Sequence, residues 1–275
     1  MAGWRRISCG LVFALAAVPV SGSGGIAGAS GAGTTGATNV PTVAEAPMIP
    51  GGPLPGVVGP QAASGLGFEQ TSTNWSGYVV KASSAFTGAE GSWVEPAATC
   101  TSTNTMAGFW VGIDGYGTAT VEQTGTAVEC SGGTPAYFAW WEMYPGSSHV
   151  IAHPVAPGDK LTAKVLRTGT SYRLVLSSSA GWRFSTNQVS TTATDASAEW
   201  IAEAPSGGSG LYPLADYAKV VFTGAQAAGG GAFAPISSFT AGGGPIEVAM
   251  TKDGTVISQP SALFPSGKGF AVRYK

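Results

Sequence analysis

The stretch AEWIAEAPS, residues 198–206, places two glutamates four positions apart in an apolar run of a chain with only 10% charged residues. In a strand, side chains alternate between faces, so Glu199, Ile201 and Glu203 share one face while Trp200 and Ala202 take the other. A carboxylate on a face that becomes buried is costly unless it is paired, protonated or used. The stretch therefore poses a structural and a chemical question together.

Short strand-like runs extend on both sides of it. NWSGYVV (74–80), EGSWVEP (90–96), MAGFWVGID (106–114) and TATVEQT (118–124) precede it, followed by AYFAWWEMYP (136–145), KLTAKVLR (160–167) and YRLVLSSS (172–179). YAKVVFTG (217–224), PIEVAMT (245–251) and FAVRYK (270–275) come after it. Each run is rich in β-branched and aromatic residues and is bounded by Gly, Pro, Ser, Asn or Asp. None carries a sustained apolar period of 3.6 with helix caps. The pattern predicts an all-β, antiparallel sandwich or barrel over residues 71–275, a length that one such domain fills. No internal repeat of fixed period is found.

Ahead of Thr71 the texture differs. Arg5 and Arg6 precede the apolar run LVFALAAVPV (11–20), followed by small residues, as in a secretory signal peptide, assigned to residues 1–30. The run falls short of the roughly 20 apolar residues of a membrane span, so no stable membrane association is expected. Residues 31–70, including MIPGGPLPGVVGP (48–60), are too poor in aromatic residues to bury a core and read as a propeptide or flexible leader. Export makes a disulfide the expected state of Cys100 and Cys130, since Cys9 leaves with the signal. A loop of that size is worth about 3 to 4 kcal/mol in chain-entropy terms. After residue 70 there are eleven basic and thirteen acidic residues and no basic patch, which argues against nucleic acid as a partner.

Familiar catalytic machinery is missing. The two histidines, His149 and His153 in HVIAH, lack the glutamate of a zinc motif and lie between helix breakers, so no metal site is assigned. No GxSxG elbow marks a nucleophilic serine, and GIDGYG (112–117) has neither the setting nor the spacing of a phosphate loop. Asn74-Trp75-Ser76 matches a glycosylation sequon. What remains is a set of polar groups within aromatic-rich strands: Asp114, Gln123, Glu142, Glu199 and Glu203. Composition leaves three readings open for them. They could lie on a solvated face, flank a sugar-stacking platform of Trp140, Trp141 and Tyr144, or include a glycosidase pair, Glu142 and Glu203.

Four segments in order separate these readings. NWSGYVV, FWVGIDGYGTATVEQTG, AWWEMYP and AEWIAEAP resemble the NWxG, WVGIDG…QTG, aromatic-acid-aromatic-Tyr-Pro and AEFIIE-type segments of the glutamic peptidases, the eqolisin family of secreted acid endopeptidases. Each is weak singly, and together they cover Asn74 to about Pro205. The resemblance implies two seven-stranded antiparallel sheets in a bent sandwich of the concanavalin A-like or jelly-roll type. It implies protein or peptide substrates, no cofactor and a secreted monomer. Carried over by position, the catalytic glutamine is Gln123 and the catalytic glutamate Glu203 rather than Glu199. Trp75, Asp114, Trp140, Glu142 and Glu199 fall among the supporting residues around the cleft. Thr126 and Ala127 stand where fungal members carry an acid after QTG, a departure from the family pattern.

A Glu/Gln pair can supply what amide hydrolysis needs: an activated water, an oxyanion partner and a proton for the leaving amine. On this reading Glu203 is the general base and then acid, and Gln123 donates to the oxyanion. Because Gln123 cannot titrate, the pair avoids the coupled titration of two carboxylates. Glu142 and Asp114 are the expected protonated helpers.

Overall fold

The computed structural model describes residues 58–61, 68–207 and 210–275. The expected signal peptide, Cys9 and most of the leader lie outside the described residues. The strands are β1 (Val58–Gln61), β2 (Phe68–Ser72), β3 (Trp75–Lys81), β4 (Phe86–Val94), β5 (Thr105–Ile113), β6 (Val121–Ser131) and β7 (Thr134–Tyr144). They continue with β8 (His149–Ile151), β9 (Lys160–Thr168), β10 (Ser171–Ser178), β11 (Arg183–Val189), β12 (Ser197–Glu203), β13 (Ser206–Gly207) and β14 (Gly210–Leu211). The last are β15 (Lys219–Gly229), β16 (Ala234–Pro235), β17 (Ile246–Lys252), β18 (Thr255–Pro260) and β19 (Phe270–Tyr274). Helical structure among the described residues is limited to two single 3₁₀ turns, Ile236–Ser238 and Ala241–Gly243.

Every pairing is antiparallel except that of β17 with β2. The centre of the domain is the run β7-β6-β5-β12-β3. A second run, β15-β4-β9-β10-β11, packs across it. The hydrogen bonding is continuous between the two, because β15 pairs with β19 through Lys219–Phe222 and with β4 beyond Thr223. The outermost strand, β11, alternates exposed and half-buried residues. Its sequence RFSTNQV carries too little apolar signal to announce a strand.

The central run is buried on both faces. Between the runs lie Phe109, Trp200, Trp93, Leu161, Tyr172 and Phe222. The other face carries Trp75, Val79, Trp110, Val121, Trp140 and Ile201. This explains AEWIAE: all seven residues of β12 are buried, its even-numbered ones between the layers and its odd-numbered ones on the second face. Edge-to-face ring pairs stiffen each side, Trp75 on Trp110 at 4.9 Å and Phe109 on Tyr217 at 5.1 Å, worth about 1 kcal/mol apiece beyond area burial. Trp200 ties the layers together by donating its indole N–H to the Glu90 carbonyl at 2.8 Å. Gly77, with φ of 154°, sits where a Cβ would come within 2.1 Å of the Trp200 carbonyl oxygen, so β3 and β12 approach this closely only through glycine. Cys100 and Cys130 form a disulfide that fastens the segment before β5 to the end of β6.

Candidate active site

Strand register sets the geometry of the second face. One row across five strands reads Val79, Glu199, Gly112, Gln123, Glu142. The next reads Gly77, Ile201, Trp110, Gly125, Trp140, and the one beyond it Trp75, Glu203, Gly108, Ala127, Phe138. Glu199 and Gln123 are thus separated by β5 alone, a Cα distance of about 10 Å at ordinary strand spacing. Two long side chains converging from that distance can share one small molecule. Glu203 lies four residues further along, about 13 Å of strand rise, on top of the same lateral separation. The register does not bring Gln123 and Glu203 together.

Gly112 makes the space between Glu199 and Gln123. A Cβ there would stand 2.9 Å from the Trp110 ring and 3.2 Å from the Gln123 Cβ. Gln123 is fully buried; its Nε2 donates to Glu142 Oε2 at 2.7 Å, and its Oε1 has no partner among the described residues. Glu199 is also fully buried, and neither carboxyl oxygen closes a hydrogen bond with a described group. Burial drives its pKa well above the ordinary carboxylate value, and the charges of Asp114 and Glu122 push it the same way. The indole N–H groups of Trp75 and Trp140 on this face are also without hydrogen-bond partners among the described residues. Buried polar atoms normally find partners; unpartnered ones also occur between the layers, on Glu95 and Glu122, but most lie on this face and mark it as a place prepared for a ligand.

Glu203 is provided for. Its Oε2 accepts from Trp110 Nε1 at 2.7 Å and its Oε1 from Asn74 Nδ2 at 3.2 Å. Burial nevertheless outweighs these donors and raises its pKa to about 8. The far edge of the Trp110 ring reaches Gly112, so Glu203 fixes the indole that floors the space between Glu199 and Gln123. Asn74 is buried and held by Glu203 and by Ser72, which makes the sequon unsuitable as a glycosylation acceptor in the folded domain.

Asp114 has a different role from the protonated helper expected of it. Its oxygens accept from Thr120 Oγ1, Thr194 N, Thr194 Oγ1, Asp195 N and Ala196 N at 2.7 to 3.2 Å. All five partners donate, so Asp114 serves as an acceptor that pins the segment leading into β12 and thereby places Glu199. From the other layer, Arg167 bonds Asp195 at 2.9 Å and Tyr172 donates to it at 2.6 Å. Two further buried carboxyls lie between the layers. Burial raises Glu122 to about 9, aided by Asp114 and Asp195, and raises Glu95 to about 7 against donors from Thr126 and Trp93.

The alternatives from sequence lose their geometry. Trp140 and Tyr144 face the site while Trp141 faces the opposite way and stacks on His149 at 4.2 Å, so the three rings form no common platform. Glu142 and Glu203 stand three strands and four residues apart, a Cα separation of about 19 Å. Each is engaged elsewhere, Glu142 by Gln123 and Glu203 by Trp110 and Asn74, so they do not form the closely spaced carboxyl pair of a glycosidase. No metal-binding cluster occurs among the described residues. Asn74, Trp110, Gly112 and Ser197 are site residues that sequence reasoning passed over. Trp110 and Gly112 could have been found from their even spacing with Asp114 in WVGID once β12 and β5 were known to pair.

The Peptidase A4 family matches residues 73–269. Aspergillopepsin-2 of Aspergillus niger is 31% identical over 176 residues, which are 61% of this chain and 59% of that protein. Aspergilloglutamic peptidase from Aspergillus niger is similar in fold with a TM-score of 0.55 and 28% identity, covering 62% of this chain and 99% of that one. Scytalido-glutamic peptidase, solved with a transition-state analogue inhibitor, gives a TM-score of 0.64 at 23% identity, with 74% and 98% covered. With a family match over most of its length and all four signature segments within it, the chain belongs to the Peptidase A4 family, the glutamic peptidases.

Proposed function

We propose that this protein is a secreted, acid-acting endopeptidase that hydrolyses peptide bonds with Glu199 and Gln123 as its reacting pair. Glu199 replaces Glu203 in the role expected from sequence. The observation that carries the reading is the row Glu199–Gly112–Gln123: two buried polar side chains with unpartnered atoms on one face, on either side of a glycine. On this reading the domain is a monomer, and its two bent seven-stranded sheets correspond to the runs β8-β7-β6-β5-β12-β3-β17 and β18-β19-β15-β4-β9-β10-β11, which the β17–β18 pairing joins.

A water held between the pair loses a proton to the Glu199 carboxylate as its oxygen attacks the scissile carbonyl carbon. Gln123 Nε2, steered by its bond to Glu142, donates to the oxyanion. Glu199 then passes the proton to the departing nitrogen and the C–N bond breaks, which returns the carboxylate. A carboxylate forced into this apolar face is a stronger base than one in water, which offsets its smaller ionised fraction in acid. Metal and organic cofactors have no part in these steps.

The test is proteolysis of a denatured protein from pH 2 to 7 with wild type, Glu199→Gln, Gln123→Ala and Glu203→Gln, with pepstatin and EDTA in separate samples. Acid activity indifferent to both inhibitors, absent in Glu199→Gln, reduced about 10²- to 10³-fold in Gln123→Ala and largely kept in Glu203→Gln supports the assignment. Robust cleavage by Glu199→Gln, or its loss only in Glu203→Gln, refutes it.

A further inference from the structure

The end of the site opposite Glu203 carries a cation. Lys81, the last residue of β3, is in register with Ser197, one pair beyond Val79 and Glu199 on the same face. Among the described residues it is the sole Lys, Arg or His on that face of β3, β12, β5, β6 and β7, and it makes no salt bridge. Its Nζ lies 4.7 Å from the ring centroid of Tyr116, whose hydroxyl is engaged with Gln70 Oε1. Lys81 also forms one wall of a cavity of about 310 Å³ lined by Ser83, Gly229, Gly230, Gly231, Ser238 and Thr240, among others, with no carboxylate in the lining.

An ammonium at the rim of an uncharged, hydroxyl-lined cavity is short of one negative charge. The site beside it processes extended chains, if the peptidase reading on which this inference rests is right. We propose that Lys81 and this cavity form a subsite for an anionic side chain of the peptide, so that the protein prefers aspartate or glutamate at one position near the scissile bond. A carboxylate there pairs with Nζ, while the surrounding hydroxyls supply donors for its remaining lone pairs. The ring of Tyr116 holds the ammonium toward the site.

The experiment uses matched peptides carrying Glu, Gln or Lys in turn at each of three positions on either side of the cleaved bond, at pH 5.5, where a peptide carboxylate is ionised. At one position kcat/KM is expected to favour Glu over Gln about three- to fivefold, the size of a partly screened ion pair, with Lys the poorest. The Glu-to-Gln ratio falls to about one in Lys81→Met and inverts toward Lys in Lys81→Glu, with thermal midpoints showing that both variants fold. Cleavage of all peptides without positional charge preference, or a preference that persists in Lys81→Met, overturns the subsite alone. Failure to cleave any peptide overturns the peptidase reading, and the subsite with it.

Discussion

Replacing Glu203 by glutamine separates the two glutamates of β12 and tests how the fold responds to pH. The Glu203 carboxyl is buried, bound by Trp110 and Asn74, and titrates near 8 in the folded domain against 4.5 ordinarily. Between those values the folded state holds one proton that the unfolded chain releases. Stability from this group is therefore fully present below pH 4.5 and is lost as pH rises toward 8, at about 1.4 kcal/mol per pH unit. From pH 5 to pH 7 the loss is about 3 kcal/mol, a large share of the 5 to 15 kcal/mol typical of a whole domain. A glutamine of the same shape cannot titrate, and Asn74 can turn its amide to suit the new donor. The measurement is urea unfolding followed by tryptophan fluorescence at half-unit steps from pH 4 to 7. The variant's free energy of unfolding should fall less steeply than wild type's, by about 1.4 kcal/mol per pH unit, and the two curves should converge or cross as pH rises. Parallel curves would mean that Glu203 does not carry the proton assigned to it. The same preparation should still cleave protein at pH 4, because the substitution mimics the protonated acid.

Two further substitutions probe the frame around Glu199 and Gln123. Gly112→Ala inserts a methyl 2.9 Å from the Trp110 ring and 3.2 Å from the Gln123 Cβ; kcat should fall at least tenfold while the urea midpoint moves by no more than about 2 kcal/mol of stability, and unchanged kcat would remove Gly112 from the site. Asp114→Asn sets an amide N–H₂ against donors where five now converge on a carboxylate. It should cost about 2 to 4 kcal/mol and lower kcat more than it raises KM, since the segment it holds delivers β12.

Much of the fold was legible because the strand signal is local. The runs read as strands at 74–80, 106–114, 136–145, 160–167 and 198–206 coincide closely with β3, β5, β7, β9 and β12. Edge strands such as β11 and the short β8 escaped, because a strand with a solvated face needs little apolar sequence. Segment boundaries escaped as well: pairing begins upstream of Thr71, in β1 and β2. The site residues came from motifs, and all of them except Asp114 lie on the second face of the central strands. The proposed choice of Glu199 over Glu203 could not come from β12 alone, where both occupy the same parity. It needed the register of β12 on β5 and of β5 on β6, a property of three segments far apart in sequence.

Buried carboxyls also bear on the acid optimum proposed above. The proposed chemistry at Glu199 needs its ionised form, which by itself favours higher pH. The fold works in the opposite direction. Glu95, Glu122 and Glu203 are all buried with pKa values raised to between about 7 and about 9, and each withdraws stability as pH climbs from 4.5. Three such groups together tilt the stability curve by about 4 kcal/mol per pH unit, enough to consume a typical domain's entire margin before pH 8. Glu95 faces the inter-layer core, away from the reacting pair, so its effect on activity passes through folding alone, whereas Glu122 also acts on the ionisation of Glu199. The upper pH limit of cleavage should therefore follow the unfolding transition rather than the ionisation of Glu199. Substituting Glu95 with glutamine should move both limits upward together, while a shift in one without the other would separate catalysis from the fold.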